Sequence, residues 1–143
     1  MLRTSICGRL GIEYPILLAG MGGVSMHELT AAVSNAGGLG VLGGATVDAE
    51  RLRREIRETR RLTDKPFAVD LLAPIPDMIR PQMQVIFEED VKIFVAGLVG
   101  RNGNSGNNQL AMASDGVSAE AGNFGQNLVG GLHPLERVWG VVV

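Results

Sequence analysis

The chain has 143 residues, a formal net charge of −2, and 45% apolar, 20% charged and 4% aromatic side chains. One domain is the expectation for this length, and the slightly acidic balance argues against a nucleic-acid binder, which carries a basic excess on one face. No apolar run approaches the roughly 18 residues of a membrane span. Cys7 as the only cysteine excludes an internal disulfide and a multi-cysteine metal site, so a cytoplasmic location is expected.

In chain order, Pro15-Ile16-Leu17-Leu18-Ala19 is a continuous apolar run ending in Gly20, as expected of a strand buried on both faces. Ser25-Met26-His27-Glu28 has the form of a capping box and opens a helix. Its apolar stripe is Leu29, Ala32, Val33 and Ala36, and Gly37 supplies a left-handed stop. Leu39 to Leu42 is a second strand. Asp48 caps a helix running to about Arg61, with Leu52 and Ile56 on its buried stripe. Phe67 to Leu72 is a third strand. Ile75 to Glu88 reads as a helix with Met78, Ile79, Val85 and Ile86 as its apolar positions, and Val91 to Val95 as a fourth strand. Strands alternating with helices predict βαβ units and a parallel sheet with right-handed connections.

The chain changes character near Leu98. Six of seven asparagines and nine of 20 glycines follow that point, whereas 23 of 28 charged residues precede it. No strand is predicted beyond it, only a helix near Ala111 to Ala121 that contains Gly116; the rest reads as coil.

In a parallel α/β domain the ligand lies at the carboxyl ends of the strands, where strand-to-helix loops converge. Ala19-Gly20-Met21-Gly22-Gly23-Val24-Ser25 is such a loop, and its glycines suit either a tight turn or close approach of backbone amides to a planar or anionic ligand. Gly38-Leu39-Gly40-Val41-Leu42-Gly43 has the spacing of a dinucleotide fingerprint, but the strand lies inside the match instead of before it. It reads as a closely packed, glycine-bracketed strand. Asp70 falls near the carboxyl end of the third strand, on the face of Ala68 and Leu72. A carboxylate there needs donors or a ligand, so capping a loop and meeting a ligand both stay open. His27 reads as a polar residue of a helix's first turn, and His133 has no partner at a useful spacing. The six arginines between Arg51 and Arg61 interleave with glutamates and read as a solvated face, with i, i+4 pairs such as Glu50–Arg54 and Arg54–Glu58. No Ser–His–Asp set, Walker loop or zinc spacing is found.

Four segments carry a family likeness: Leu10-Gly11-Ile12-Glu13-Tyr14-Pro15-Ile16; Ala19-Gly20-Met21-Gly22-Gly23; Val33-Ser34-Asn35-Ala36-Gly37-Gly38-Leu39-Gly40-Val41; and Thr63-Asp64-Lys65-Pro66-Phe67-Ala68-Val69-Asp70-Leu71-Leu72. Through them, residues 4 to about 97 resemble the N-terminal part of the FMN-dependent nitronate monooxygenases, formerly 2-nitropropane dioxygenases. Flavin-dependent enoyl-ACP reductases share the same opening. The resemblance implies an α/β fold, a (β/α)8 TIM barrel with FMN at its carboxyl-terminal mouth. Of this the chain supplies about the first four strands and three helices, followed by an irregular tail. It implies that Ala19, Gly20, Met21 and Gly22 lie against the isoalloxazine ring and that Asp70, where many members have Asn, reaches the flavin. It also implies oxidation of nitronates or nitroalkanes with oxygen to a carbonyl compound and nitrite, a histidine in a Gly-Gly-His-Thr-Gly context acting as base.

That histidine segment has no counterpart in the matching region. Gly130-Gly131-Leu132-His133 differs from it in spacing and flanks, so no catalytic residue is assigned. Residues 1–97 therefore read as the first part of an FMN-dependent barrel, and residues 98–143 as an unmatched tail. Such a barrel takes roughly 200 residues at the least, which points to a frameshifted or prematurely ended reading frame. Three functions are weighed: a nitronate monooxygenase by descent, a catalytically inactive fragment that self-associates through open strand edges, and an FMN-dependent enoyl-ACP reductase relative. The expected partners are a small nitronate or nitroalkane and oxygen, with no nucleic acid, membrane or metal.

Overall fold

The computed structural model describes residues 4–72, 76–97, 111–112 and 139–142. Its centre is a parallel sheet of β1 (Gly40–Gly43), β2 (Phe67–Leu72) and β3 (Ile93–Gly97). These strands stand close to where the sequence places them. The run Pro15–Ala19 forms no full strand. It makes one parallel bridge, Leu17 to Leu39, with Leu39 N–H donating to the Ile16 carbonyl at 2.8 Å and Leu18 N–H to the Leu39 carbonyl at 2.9 Å. Beyond β3 the sheet continues through β5 (Trp139–Val142), parallel to β3, to β4 (Ala111–Met112), antiparallel to β5. Both correct the expectation for the tail, since Ala111 and Met112 are extended where a helix is expected. The remainder of that segment, residues 113–121, lies outside the described residues, as does His133.

Register sorts the strand residues between two faces. Val41, Ala68 and Ile93 are mutual neighbours on one face, as are Gly43, Asp70 and Val95, whereas Leu42, Val69 and Phe94 share the other. The second face packs beneath α3 (Ala49–Leu62) and α4 (Pro76–Glu88) in a core that includes Leu42, Leu52, Ile56, Val69, Leu71, Val85 and Ile86. Burying each such aliphatic side chain contributes roughly 1.5–3 kcal/mol. The first face packs against α1 (Ser5–Leu10), a helix the sequence reading misses, through Cys7, Leu10 and the following Ile12. α1 ends beside Pro66, at the amino end of β2, so it covers the opposite end of the sheet from the Gly20 loop.

α3 forms as its sequence dictates. Asp48 Oδ1 accepts the Arg51 amide at 2.7 Å, and Leu52 and Ile56 are fully buried. In α4 the buried apolar positions include Met83, Val85 and Ile86; the side chains of Met78 and Ile79 lie outside the described residues.

α2 (His27–Asn35) departs from expectation at its cap and its face. Met26 is its N-cap and makes no side-chain cap bond, so Ser25 and Glu28 do not form a capping box. The helix buries Thr30, Ala31 and Ser34, whereas Leu29 and Ala32 are exposed. The reason is close approach to β1. An alanine Cβ at Gly40 would collide with the Thr30 carbonyl and lie 2.6 Å from Ser34 Oγ. Small polar residues suit that contact because each finds a partner: Ser34 Oγ accepts Gly40 N–H at 3.1 Å and donates to the Pro66 carbonyl at 2.9 Å. Gly37 does end the helix in the left-handed region, at φ 92°.

The arginines of α3 are less uniformly solvated than their sequence suggests. Arg53, Arg57 and Arg60 converge on the buried Glu89 carboxylate at 2.9, 2.8 and 3.5 Å, joining α3 to the end of α4. Glu50–Arg54 forms at 3.5 Å, while Glu58 pairs with Arg61 at 2.7 Å. Arg57 chiefly, opposed by burial and helped by Arg53, holds the Glu89 carboxyl below its ordinary value. Its contribution is therefore whole above the unfolded glutamate value of about 4.3 and is lost as pH falls through the lower folded one. Glu89→Gln is expected to cost about 2 kcal/mol at pH 7, less than for a fully buried pair because the arginines keep 30–59% exposure. Urea unfolding checks this, with the gap between wild type and variant closing below about pH 4.

Candidate functional site

The loop from Ala19 to Ser25 crosses the carboxyl ends of β1 and β2. Its position follows from three close contacts of backbone without side chains. A Cβ on Gly20 would overlap the Asp70 carboxyl, lying 2.6 Å from its Cγ. A Cβ on Gly43, the last residue of β1, would meet the Met21 carbonyl oxygen at 2.5 Å. A Cβ on Gly22 would meet Thr46 Cγ2 at 2.5 Å, in the 3-10 turn Gly44–Thr46 that follows β1. The glycines thus press the loop flat onto the strand ends.

Ser25 then fixes it. The side chain is fully buried; Oγ accepts Met21 N–H at 2.7 Å and donates to the Met21 carbonyl at 3.1 Å. That carbonyl also accepts Val24 N–H at 3.0 Å and Ser25 N–H at 2.9 Å, while the Ser25 carbonyl accepts Gly43 N–H at 2.9 Å. The outer side of the loop stays open: Ala19 and residues 21–24 are exposed, with Val24 62% exposed. Asp70 lies beneath it, buried on the same sheet face as Val41, Ala68 and Val95. The structure therefore sets Gly20 directly on Asp70, 50 positions later in the sequence, with Ala19, Met21 and Gly22 beside Gly20 in the same loop.

Sequence reasoning misses Ser25 as the loop's internal clamp, because the same hydroxyl fits a helix cap on paper. It also misses Glu55. This α3 residue sends Oε2 to His27 Nδ1 at 2.6 Å and accepts the His27 backbone N–H at 3.2 Å. Burial pushes the Glu55 carboxyl up, but hydrogen bonds from the His27 ring and amide, with the His27 and Arg51 charges, outweigh it and hold it below its ordinary value. His27 is thus tied to α3 through both its ring and its backbone amide.

The carboxyl ends of parallel strands, where this exposed loop lies, are where α/β folds hold their ligands. The chain is similar to known proteins over part of its length. The chain is 44% identical over 81 residues to a probable nitronate monooxygenase of Staphylococcus saprophyticus, covering 57% of this chain and 23% of that one. It is 54% identical over 67 residues to a nitronate monooxygenase of Paraburkholderia phytofirmans, covering 47% and 18%. The structure of FabK from Thermotoga maritima superposes with a TM-score of 0.64 at 39% identity, covering 68% of this chain and 31% of that one. The chain spans less than a third of the length of each. The nitronate monooxygenase family model matches residues 3–121, and the chain belongs to that family.

Proposed function

We propose that this chain supplies the flavin-facing first strands of an FMN-dependent enzyme that oxidises nitronates to a carbonyl compound and nitrite. The observation that carries the reading is the Gly20 loop laid flat over Asp70 on the sheet face that a closed barrel turns inward. The residues suit a flavin: Ala19, Met21 and Gly22 expose the loop around Gly20, and the Asp70 carboxyl lies against Gly20 as a polar group that could meet it. When bound, FMN supplies two-electron oxidation and the reaction with oxygen. The chain's own residues bind and orient. Ser25 holds the Met21 peptide in a single orientation. Gly20 lets the backbone descend to the strand end. Val41, Ala68 and Val95, buried in the core on the same face, put apolar side chains next to Asp70 in the sheet.

A nitronate is already deprotonated, so it needs no base to remove its α-proton; it is the better probe than the neutral nitroalkane. With FMN and oxygen, the full chain is expected to release nitrite from an alkyl nitronate, and oxygen consumption should match. The FabK likeness favours one second reading, a flavin-dependent enoyl-ACP reductase relative. Oxidation of a nicotinamide cofactor coupled to loss of an enoyl thioester, without nitrite from nitronate, would replace the first reading with the second.

A further inference from the structure

We infer that Glu55 is a positioning residue for the Ala19–Ser25 loop, acting through His27 from the neighbouring helix. The inference rests on the flavin reading for its consequence but not for its geometry. α2 has no cap of its own, since Met26 makes no side-chain bond at its start. The carboxylate that does this work comes from α3, 28 residues away, and its Oε2 takes both the His27 backbone amide at 3.2 Å and Nδ1 at 2.6 Å. A negative charge at that end also complements the helix dipole.

The junction it fixes is the one from which the loop hangs. Two residues before His27, Ser25 holds both the amide and the carbonyl of Met21, and its own carbonyl receives the last amide of β1. Thr30 Oγ1, one turn into α2, donates to the Ser25 carbonyl at 3.5 Å. A tilt of the first turn of α2 therefore moves Ser25, and Ser25 cannot move without releasing Met21. Glu55 is itself fixed from the other side, with Arg51 Nε 3.7 Å from Oε1. Only 12% of its side chain is exposed, so water replaces it poorly. Glu55 bonds the His27 amide and ring, so its effect on a ligand at the loop runs through the backbone that joins His27 to Ser25.

Hydrogen exchange by mass spectrometry on the full chain tests this without any ligand, comparing wild type, Glu55→Ala and Glu55→Gln. In Glu55→Ala, amides of residues 20–30 are expected to exchange about tenfold faster, the scale of a lost helix cap. Those of β1 and β2 should keep their rates. Glu55→Gln, which retains an acceptor for the His27 amide, should recover most of the protection. FMN titration of the same three proteins should rank them in the same order, with Glu55→Ala about tenfold weaker than wild type. Unchanged loop exchange in Glu55→Ala, or acceleration spread equally over β1 and β2, would overturn the inference. So would a loosened loop that binds FMN as tightly as wild type. A wild type that ignores FMN would defeat the flavin reading alone, because loop exchange still reports on Glu55.

Discussion

Gly40→Ala is expected to be the most damaging single-methyl change in the described part of the chain, costing about 3 kcal/mol and lowering the thermal midpoint by about 10 °C. The added Cβ points at the Thr30 carbonyl and at Ser34 Oγ, 2.6 Å away. Neither neighbour yields easily. The carbonyl is helix backbone, and Ser34 Oγ is committed both to the Gly40 amide and to the Pro66 carbonyl. To make room, α2 must lift from β1, which loosens Ser25 and the loop as well. Urea and thermal unfolding of the two proteins measure the cost; a loss below about 1 kcal/mol would mean that α2 shifts freely.

Gly20→Ala carries the second large effect, and it separates the site from the fold. The new methyl overlaps the Asp70 carboxyl, so the loop must rise off the end of β2. We expect about 2 kcal/mol of destabilisation and at least about a tenfold loss of FMN affinity. The cause is a contact between two named residues, so the effects of changing both should not add. Asp70→Gly opens the space that the alanine needs, at a cost of its own of about 1 kcal/mol for glycine in a strand. The double variant should therefore be more stable than the sum of the single losses by 1 kcal/mol or more, roughly. Strict additivity would show that the loop does not rest on Asp70.

The contrast between what was and was not legible in the sequence follows the range of the interactions. α3 is readable because its signals are local: Asp48 three residues from the amide it caps, and Leu52 and Ile56 one turn apart. β2 is readable because Phe67–Leu72 is apolar on both faces but for Asp70, and it follows Pro66. The α2 face is misread because periodicity rewards Leu29 and Val33, whereas packing rewards Thr30 and Ser34, small enough to meet Gly40. The pairing of small helix residues with a glycine-bracketed strand was the available signal. Glu55 and Glu89 reach partners 28 to 36 residues away, and no local pattern marks a carboxylate with such partners among so many other charges. β5 is missed as well. Trp139–Val142 is a short apolar run after Arg137, and its strand character depends on pairing with β3.

Of the candidate site, the resemblance supplied the proposed set, and the structure shows one contact within it, Gly20 against Asp70. Nothing in the spacing of Gly20 and Asp70 predicts that one lies on the other. That contact depends on the bridge between Leu17 and Leu39, which aligns the first segment with β1, and on the β1–β2 register that pairs Gly43 with Asp70.

The most direct test of the proposed flavin site is a titration of FMN with the purified full chain, followed by visible absorbance and flavin fluorescence. A saturable change at one flavin per chain is expected, with perturbed flavin bands and a marked weakening in Gly20→Ala. A flavin spectrum identical to that of free FMN at protein concentrations up to about 100 μM would contradict it.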